Sequence, residues 1–222
     1  EINRANVTAV FGDIFQLLDR ENGQSEYEIE TTEDMRNYLE KNIDDDNFDV
    51  SRIRIPNNMY IWATMNSADQ GVFPMDTAFK RRWDFEYIGI DDEEEDILNI
   101  EFIACKNEKN NQEGYKLNWN DLRKGINYKL SHDCKVNEDK LLGPYFLSKE
   151  LIETDDDNLV KDNEKFIKAF KSKVLMYLFE DAAKQKRKEL FVGCEDKTKY
   201  SSICKDFDKK GEKIFGENIL SH

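Results

Sequence analysis

The chain has 222 residues, and its 47 acidic residues against 33 Lys and Arg give a formal net charge of −14. Such a surface repels phosphate backbones, which argues against broad electrostatic binding of nucleic acid by this chain. Four cysteines without a Cys-x-x-Cys pair and only two histidines support neither a disulfide framework nor a zinc site, so we expect reduced thiols and no bound structural metal.

Membrane and secretory signals are absent from the sequence. No apolar run approaches the roughly 20 residues that cross a bilayer, and the first residues lack the basic start and apolar run of a secretory signal. We therefore expect a cytoplasmic protein without membrane contact. Ten Gly and three Pro are few, which favours regular elements that are mostly helical.

The first predicted element is an amphipathic helix close to the amino terminus, with Asn6 as a candidate N-cap. Its apolar residues recur at spacings of three and four: Val7, Val10, Phe11, Ile14, Leu17 and Leu18. Residues 21–55 are polar and acidic, and we predict a surface insertion there that contains a short helix over residues 33–41.

Residues 59–65 form the most distinctive segment, an almost continuous apolar run. Because the run is apolar on both faces, it predicts a strand buried inside a parallel sheet. A polar turn follows at residues 66–69. Residues 84–88 alternate in polarity and predict a closing strand, and a short helix before them is predicted from apolar residues at steps of four: Met75, Phe79 and Trp83.

An acidic run at residues 91–96 marks the predicted domain boundary. We predict helices beyond it over residues 97–105, over residues 119–130 with Asn118 or Asn120 as the cap, and over about residues 162–188. The last helix is predicted from an apolar stripe that includes Phe166, Phe170, Val174 and Leu178. The sequence thus predicts an α/β part at residues 1–90 and an all-helical part at residues 91–222.

Three motifs in the first part carry the functional prediction: Glu1-Ile2-Asn3-Arg4-Ala5-Asn6, Thr64-Met65-Asn66-Ser67-Ala68-Asp69 and Asp76-Thr77-Ala78-Phe79-Lys80-Arg81-Arg82-Trp83. In this order they resemble the second half of an AAA+ nucleoside-triphosphatase core. The closest resemblance is to the GTPase subunit of McrBC-type, 5-methylcytosine-specific restriction systems. That family has Asp-Glu-Ile-Asn-Arg-Ala, Thr-Met-Asn-Thr-Ala-Asp and Asp-x-Ala-Leu-Arg-Arg-Arg-Phe, so Lys80 departs from the third pattern. The resemblance is strong over residues 1–90 and weaker beyond.

The resemblance implies part of a P-loop NTPase core with a parallel sheet, followed by a helical lid. Glu1 would be the Walker B glutamate that orients the attacking water, and Asn66 the sensor-1 residue that bridges this water and the γ-phosphate. Arg81 and Arg82 are candidate arginine fingers that act on the neighbouring subunit, and the motif does not say which one acts. Asp69 would hold the turn or contact the nucleotide base, and the first role is favoured.

Each of these residues also has an ordinary structural interpretation. Glu1 would then be a solvated terminal acid, and Asn66 a residue that forms a turn after a strand. The arginine pair would be solvated, or one arginine would form an ion pair with Asp76.

Further positions match the family less specifically. Asn3 and Arg4 are candidates for a subunit interface. A sensor-2 arginine is expected in the lid, and Arg123 is the candidate by default.

The implied function is hydrolysis of GTP or ATP with Mg²⁺ by a ring-forming, hexamer-like assembly of this subunit. Hydrolysis would power DNA translocation or cleavage by an McrC-like nuclease partner, with DNA bound through other domains. The sequence has neither a Gly-x-x-x-x-Gly-Lys-Ser/Thr loop nor the aspartate expected before Glu1. We therefore expect a carboxy-terminal fragment that is inactive alone. The alternative is a non-catalytic adaptor module derived from an AAA+ domain.

Overall fold

The computed structural model describes residues 1–45, 48–66, 71–105 and 113–221. The chain divides into two compact units, Glu1–Tyr87 and Ile88–His222. Both units combine helices with short strands, which agrees with the α/β prediction at the level of fold class. Within the described ranges, no helix is both long enough and apolar enough to cross a bilayer.

The first unit contains short elements around a small apolar core. Its helices are α1 (Val7–Phe11), α2 (Glu33–Asn42) and α3 (Thr77–Lys80), with 3-10 turns at Ile2–Arg4 and Gly12–Leu18. Two antiparallel strand pairs accompany them: β1 (Arg20–Glu21) with β2 (Gln24–Ser25), and β3 (Ile29–Glu30) with β4 (Arg52–Ile53). The core is formed by Val7, Leu17, Leu18, Ile55 and Phe79.

Side-chain caps explain where these helices begin. The Asn6 side chain accepts a hydrogen bond from the Ala9 amide, which confirms the predicted N-cap of α1. Thr32 caps α2 in the same way, and that helix confirms the prediction for residues 33–41. The amphipathic helix predicted near the amino terminus is shorter than expected, because α1 passes into a 3-10 turn and leaves Val10 exposed.

The buried parallel strand predicted for residues 59–65 is not formed. These residues lie outside every strand, and the Trp62 side chain is 89% exposed. Every sheet among the described residues is a two-stranded antiparallel pair. A buried parallel strand needs paired neighbours at its edges and helices on both faces. The segment instead receives hydrogen bonds near its two ends, from Arg20 to the Met59 carbonyl and from Ile2 to the Thr64 carbonyl.

The second unit is not all-helical, because an antiparallel pair forms where a helix was predicted. Strand β5 (Glu101–Ala104) pairs with β6 (Tyr115–Asn118). In β5, buried and partly exposed residues alternate, and Asn163 hydrogen-bonds both the amide and the carbonyl of Ile103. These tertiary bonds favour a strand over residues 101–104 despite the helical pattern of the sequence. The strand predicted over residues 84–88 is also absent, since none of these five residues lies in a strand.

The helices of the second unit follow the sequence more closely. They are α4 (Trp119–His132), α5 (Asn163–Ala169), α6 (Arg187–Leu190) and α7 (Tyr200–Lys210). Asn118 caps α4, as one of the two predicted choices. The predicted long helix forms as α5 and continues through π-helical turns at Phe170–Leu175 and Leu178–Ala182. Its predicted stripe is confirmed as core, with all four side chains fully buried: Phe166, Phe170, Val174 and Leu178.

Candidate functional site

Backbone and side-chain hydrogen bonds join the first motif to the second. The Ile2 amide donates to the Thr64 carbonyl at 2.8 Å. Asn3 Nδ2 donates to the Asn66 carbonyl at 2.7 Å. Ile2 is bonded to Thr64 and the next residue, Asn3, is bonded to Asn66, so the two segments lie side by side and run in the same direction. Two motifs separated by 63 residues therefore meet at one place.

The Glu1 carboxylate is half-exposed and paired with Arg4. Its Oε2 accepts a hydrogen bond from Arg4 Nε at 2.5 Å. This hydrogen bond, together with the positive charge of Arg4, lowers the pKa of Glu1 below the ordinary value. A glutamate is ionised at neutral pH even at its ordinary pKa, so this carboxylate can accept hydrogen bonds from a water molecule.

Asn66 ends the described part of the second motif at an exposed position. Its carbonyl is held by Asn3, which is itself buried inside the unit. The sequence placed Asn3 at a possible subunit interface, and its burial corrects that interpretation. Asp69, the candidate turn or base-contacting residue, lies outside the described residues.

The two finger candidates have different surroundings. Arg82 donates from Nη2 to Asp19 Oδ2 at 2.5 Å and from Nη1 to the Ala78 carbonyl at 2.6 Å. Its guanidinium also lies 4.2 Å from the centre of the Phe15 ring, and its side chain is only 8% exposed. Arg82 is therefore largely enclosed within the first unit, and it forms its ion pair with Asp19 and not with Asp76, which was one of the alternatives.

Arg81 is exposed at the carboxy-terminal end of α3. Within the described ranges its guanidinium takes part in no hydrogen bond or ion pair, so the structure does not join it to Glu1 or Asn66. It lines an open cavity of about 570 Å³ with Trp62 and Arg82, and a shallower one of about 460 Å³ with Met65. Arg81 is thus the candidate whose guanidinium is available to an external phosphate.

The sensor-2 candidate is corrected by its position in the second unit. Arg123 is fully buried, and its Nη2 donates to Asp91 at 2.7 Å and to Glu94 at 2.9 Å. Nη1 donates to the Leu142 carbonyl at 2.9 Å, and Nε donates to Asn120 at 2.9 Å. All three guanidinium nitrogens are engaged, so Arg123 holds the acidic run against α4 and is not available to a nucleotide.

The sequence did not identify Asp19 as part of this site, and it did not predict that Asn3 is buried. Asp19 lies on the polar side of the amino-terminal helical pattern, and nothing local marks it as the partner of an arginine 63 positions later. Asn3 was visible as a motif residue, but only its burial reveals an intramolecular role.

Comparisons with known proteins identify two relatives of the chain. The sequence is 45% identical over 185 residues to the type II restriction enzyme BsuMI component YdiS of Bacillus subtilis strain 168. It is 33% identical over 85 residues to the EcoKMcrB subunit of the type IV methyl-directed restriction enzyme of Escherichia coli K12. These alignments cover 83% and 38% of the chain, respectively. No family model matches the chain, and no solved structure matches it.

Both relatives are components of restriction enzymes, and one is an McrB subunit. They confirm that the chain resembles McrB-like restriction proteins. The aligned parts make up 48% of the Bacillus relative and 16% of the Escherichia relative. The chain therefore spans about half the length of the first relative and a smaller part of the second.

Proposed function

We propose that this chain forms part of the hydrolytic site of an McrB-like, AAA+ nucleoside-triphosphatase in a restriction system. The observation that carries the proposal is the pair of hydrogen bonds from Ile2 to Thr64 and from Asn3 to Asn66, which brings the Glu1 and Asn66 motifs together. In the full-length protein these motifs would stand at the terminal phosphate of GTP or ATP.

Hydrolysis requires an oriented water molecule and neutralisation of charge on the γ-phosphate. The ionised Glu1 carboxylate would accept a hydrogen bond from this water and align its oxygen with the phosphorus atom. The Asn66 amide would bridge the water and a γ-phosphate oxygen. As the new P–O bond forms, the water would give up a proton to the Glu1 carboxylate and the bond to the β-phosphate oxygen would break. The charge that develops on the phosphate oxygens would be neutralised by Arg81 of a neighbouring subunit. Bound Mg²⁺ would neutralise the nucleotide phosphates, and we assign it no ligand in this chain.

The surrounding assembly is proposed from the relatives and from the trans-acting arginine. The subunit would form a hexamer-like ring with copies of itself in the cytoplasm and would work with an McrC-like nuclease subunit. DNA would be bound through other domains, because a chain with a net charge of −14 is poorly suited to contact it. Hydrolysis would power translocation or cleavage of this DNA.

An adaptor without catalytic activity is the second candidate, and exposed apolar side chains favour it. Tyr60 and Trp62 are exposed within the apolar run at residues 59–65, and such surfaces commonly mark interaction sites. The adaptor would bind partner proteins through this run and would not hydrolyse nucleotide. Turnover by the full-length protein therefore separates the two functions.

We expect Glu1→Gln and Asn66→Ala each to lower GTP or ATP turnover of the full-length protein by about 100-fold or more, because each removes a group that orients the water. Phosphate release measured with Mg²⁺ and either nucleotide checks this result. Glu40→Gln and Asn37→Ala, on the exposed surface of α2, are the matched controls and should keep normal turnover. Wild-type rates in both site variants would overturn the proposal, and a wild-type protein without any hydrolysis would support the adaptor.

A further inference from the structure

Asn3 is a buried polar residue at the joint between the two catalytic motifs. Its side chain is 3% exposed, and its Nδ2 donates to the Asn66 carbonyl at 2.7 Å. Its own carbonyl accepts a hydrogen bond from the Phe73 amide at 2.8 Å. One residue is therefore bonded to both Asn66 and Phe73, which precede and follow residues 67–72 in the sequence.

The other polar atom of the Asn3 side chain is not satisfied. Oδ1 is buried and has no hydrogen-bond partner among the described residues. A buried acceptor without a partner is costly, and an apolar side chain of similar shape would avoid that cost. Stability alone thus gives little reason for an asparagine here, whereas its single donated bond acts directly on the backbone of Asn66.

We propose that Asn3 is a positioning residue for nucleotide hydrolysis, an inference that rests on the function proposed above. Its Nδ2–H bond fixes the Asn66 carbonyl, and the peptide at Asn66 in turn sets where the Asn66 amide stands relative to Glu1. The neighbouring bond from Ile2 to Thr64 fixes the direction of the two stretches but does not reach Asn66. Loss of the Asn3 bond removes a direct restraint on the Asn66 backbone, and a misplacement of about 1 Å can cost on the order of 100-fold in rate.

The test compares Asn3→Leu with Ser25→Ala in the full-length protein. Ser25 is a buried polar residue of the same unit, and its hydroxyl donates to the Leu17 carbonyl at 2.6 Å and accepts from the Ile55 amide at 2.9 Å. Ser25→Ala removes buried hydrogen bonds away from the joint, so it should lower the melting temperature while kcat stays unchanged. Asn3→Leu should lower kcat at least about tenfold with KM changed less than about threefold, and its melting temperature should fall no further than that of Ser25→Ala.

Several outcomes would overturn the inference. Unchanged kcat in Asn3→Leu, while Glu1→Gln is inactive, overturns the role of Asn3 and leaves the proposed hydrolysis standing. A kcat loss that Ser25→Ala reproduces at an equal loss of melting temperature shows that Asn3 has a merely structural role. Normal turnover in Glu1→Gln itself removes the proposed function, and the inference about Asn3 with it.

Discussion

Arg81→Ala is expected to reduce nucleotide turnover of the full-length protein by about 10³–10⁵-fold, which is the contribution of an arginine finger. Its melting temperature should stay close to that of the wild type. The exposed Arg81 guanidinium has no described ion pair or hydrogen bond, so its removal leaves no buried partner without a bond. Steady-state phosphate release and a thermal melt of the same preparation measure the two effects separately.

The adjacent arginine should show the opposite pattern. Arg82→Ala removes the cation from Asp19 and from the Phe15 ring inside the first unit. Truncating one partner of such a largely buried pair costs about 3 kcal/mol. We therefore expect a clear loss of stability, with turnover reduced only as far as folding is impaired. Lys80→Ala on the exposed surface serves as the control. An inactive but fully stable Arg82→Ala, beside an active Arg81→Ala, would reverse the assignment.

Arg123→Ala should destabilise the second unit by about 3–5 kcal/mol, because it leaves Glu94 and the Leu142 carbonyl without their buried partner. Urea unfolding of the purified chain measures this change. Lys124 also pairs with Glu94, but its side chain is 38% exposed. Lys124→Ala should therefore cost less than about 1 kcal/mol. Similar losses for the two variants would contradict the buried role of Arg123.

The same cluster predicts how the stability of the second unit depends on pH. The hydrogen bond from Lys124 is the largest cause that lowers the pKa of Glu94 below its ordinary value of 4.5, and Asn120 and Arg123 act in the same direction. A carboxylate whose pKa is lowered by folding stabilises the fold above its unfolded-state pKa. This contribution is lost as the pH falls below 4.5 and through the folded-state pKa. Lys124→Ala should weaken that dependence most, because it removes the largest cause of the lowered pKa of Glu94.

Local signals in the sequence predicted α2, α4 and the buried stripe of the last long helix, whereas part of the helix predicted over residues 97–105 is strand β5. The caps of α2 and α4 are side chains that bond amides within their own first turn, so a few neighbouring residues determine them. The buried stripe that begins at Phe166 likewise follows from helical spacing. Residues 59–65 show the limit of such reasoning. Their apolar pattern suits a buried strand, but a strand also requires partners at its edges, and the pattern contains no information about these partners.

The site shows the same contrast between features set by neighbouring residues and features set by residues far away in the chain. Hydrogen bonds from residues 2 and 3 to residues 64 and 66 place the first two motifs side by side, whereas the catalytic roles of Glu1 and Asn66 remain predictions. The motif could not indicate which of Arg81 and Arg82 is the arginine finger, because adjacent arginines look equivalent in sequence. Their difference depends on Asp19 and Phe15, which lie far from them in the chain and meet Arg82 only in the folded unit.

Complementation between two inactive variants tests whether Glu1 and Asn66 of one subunit act on the same phosphate as Arg81 of its neighbour. Full-length Asn66→Ala and Arg81→Ala proteins would be mixed under conditions in which the subunits exchange. Hydrolysis is expected to return in an equal mixture, because about one interface in four of a randomly mixed ring combines an intact Asn66 with an intact Arg81. A mixture that stays as inactive as the two separate variants would contradict this arrangement.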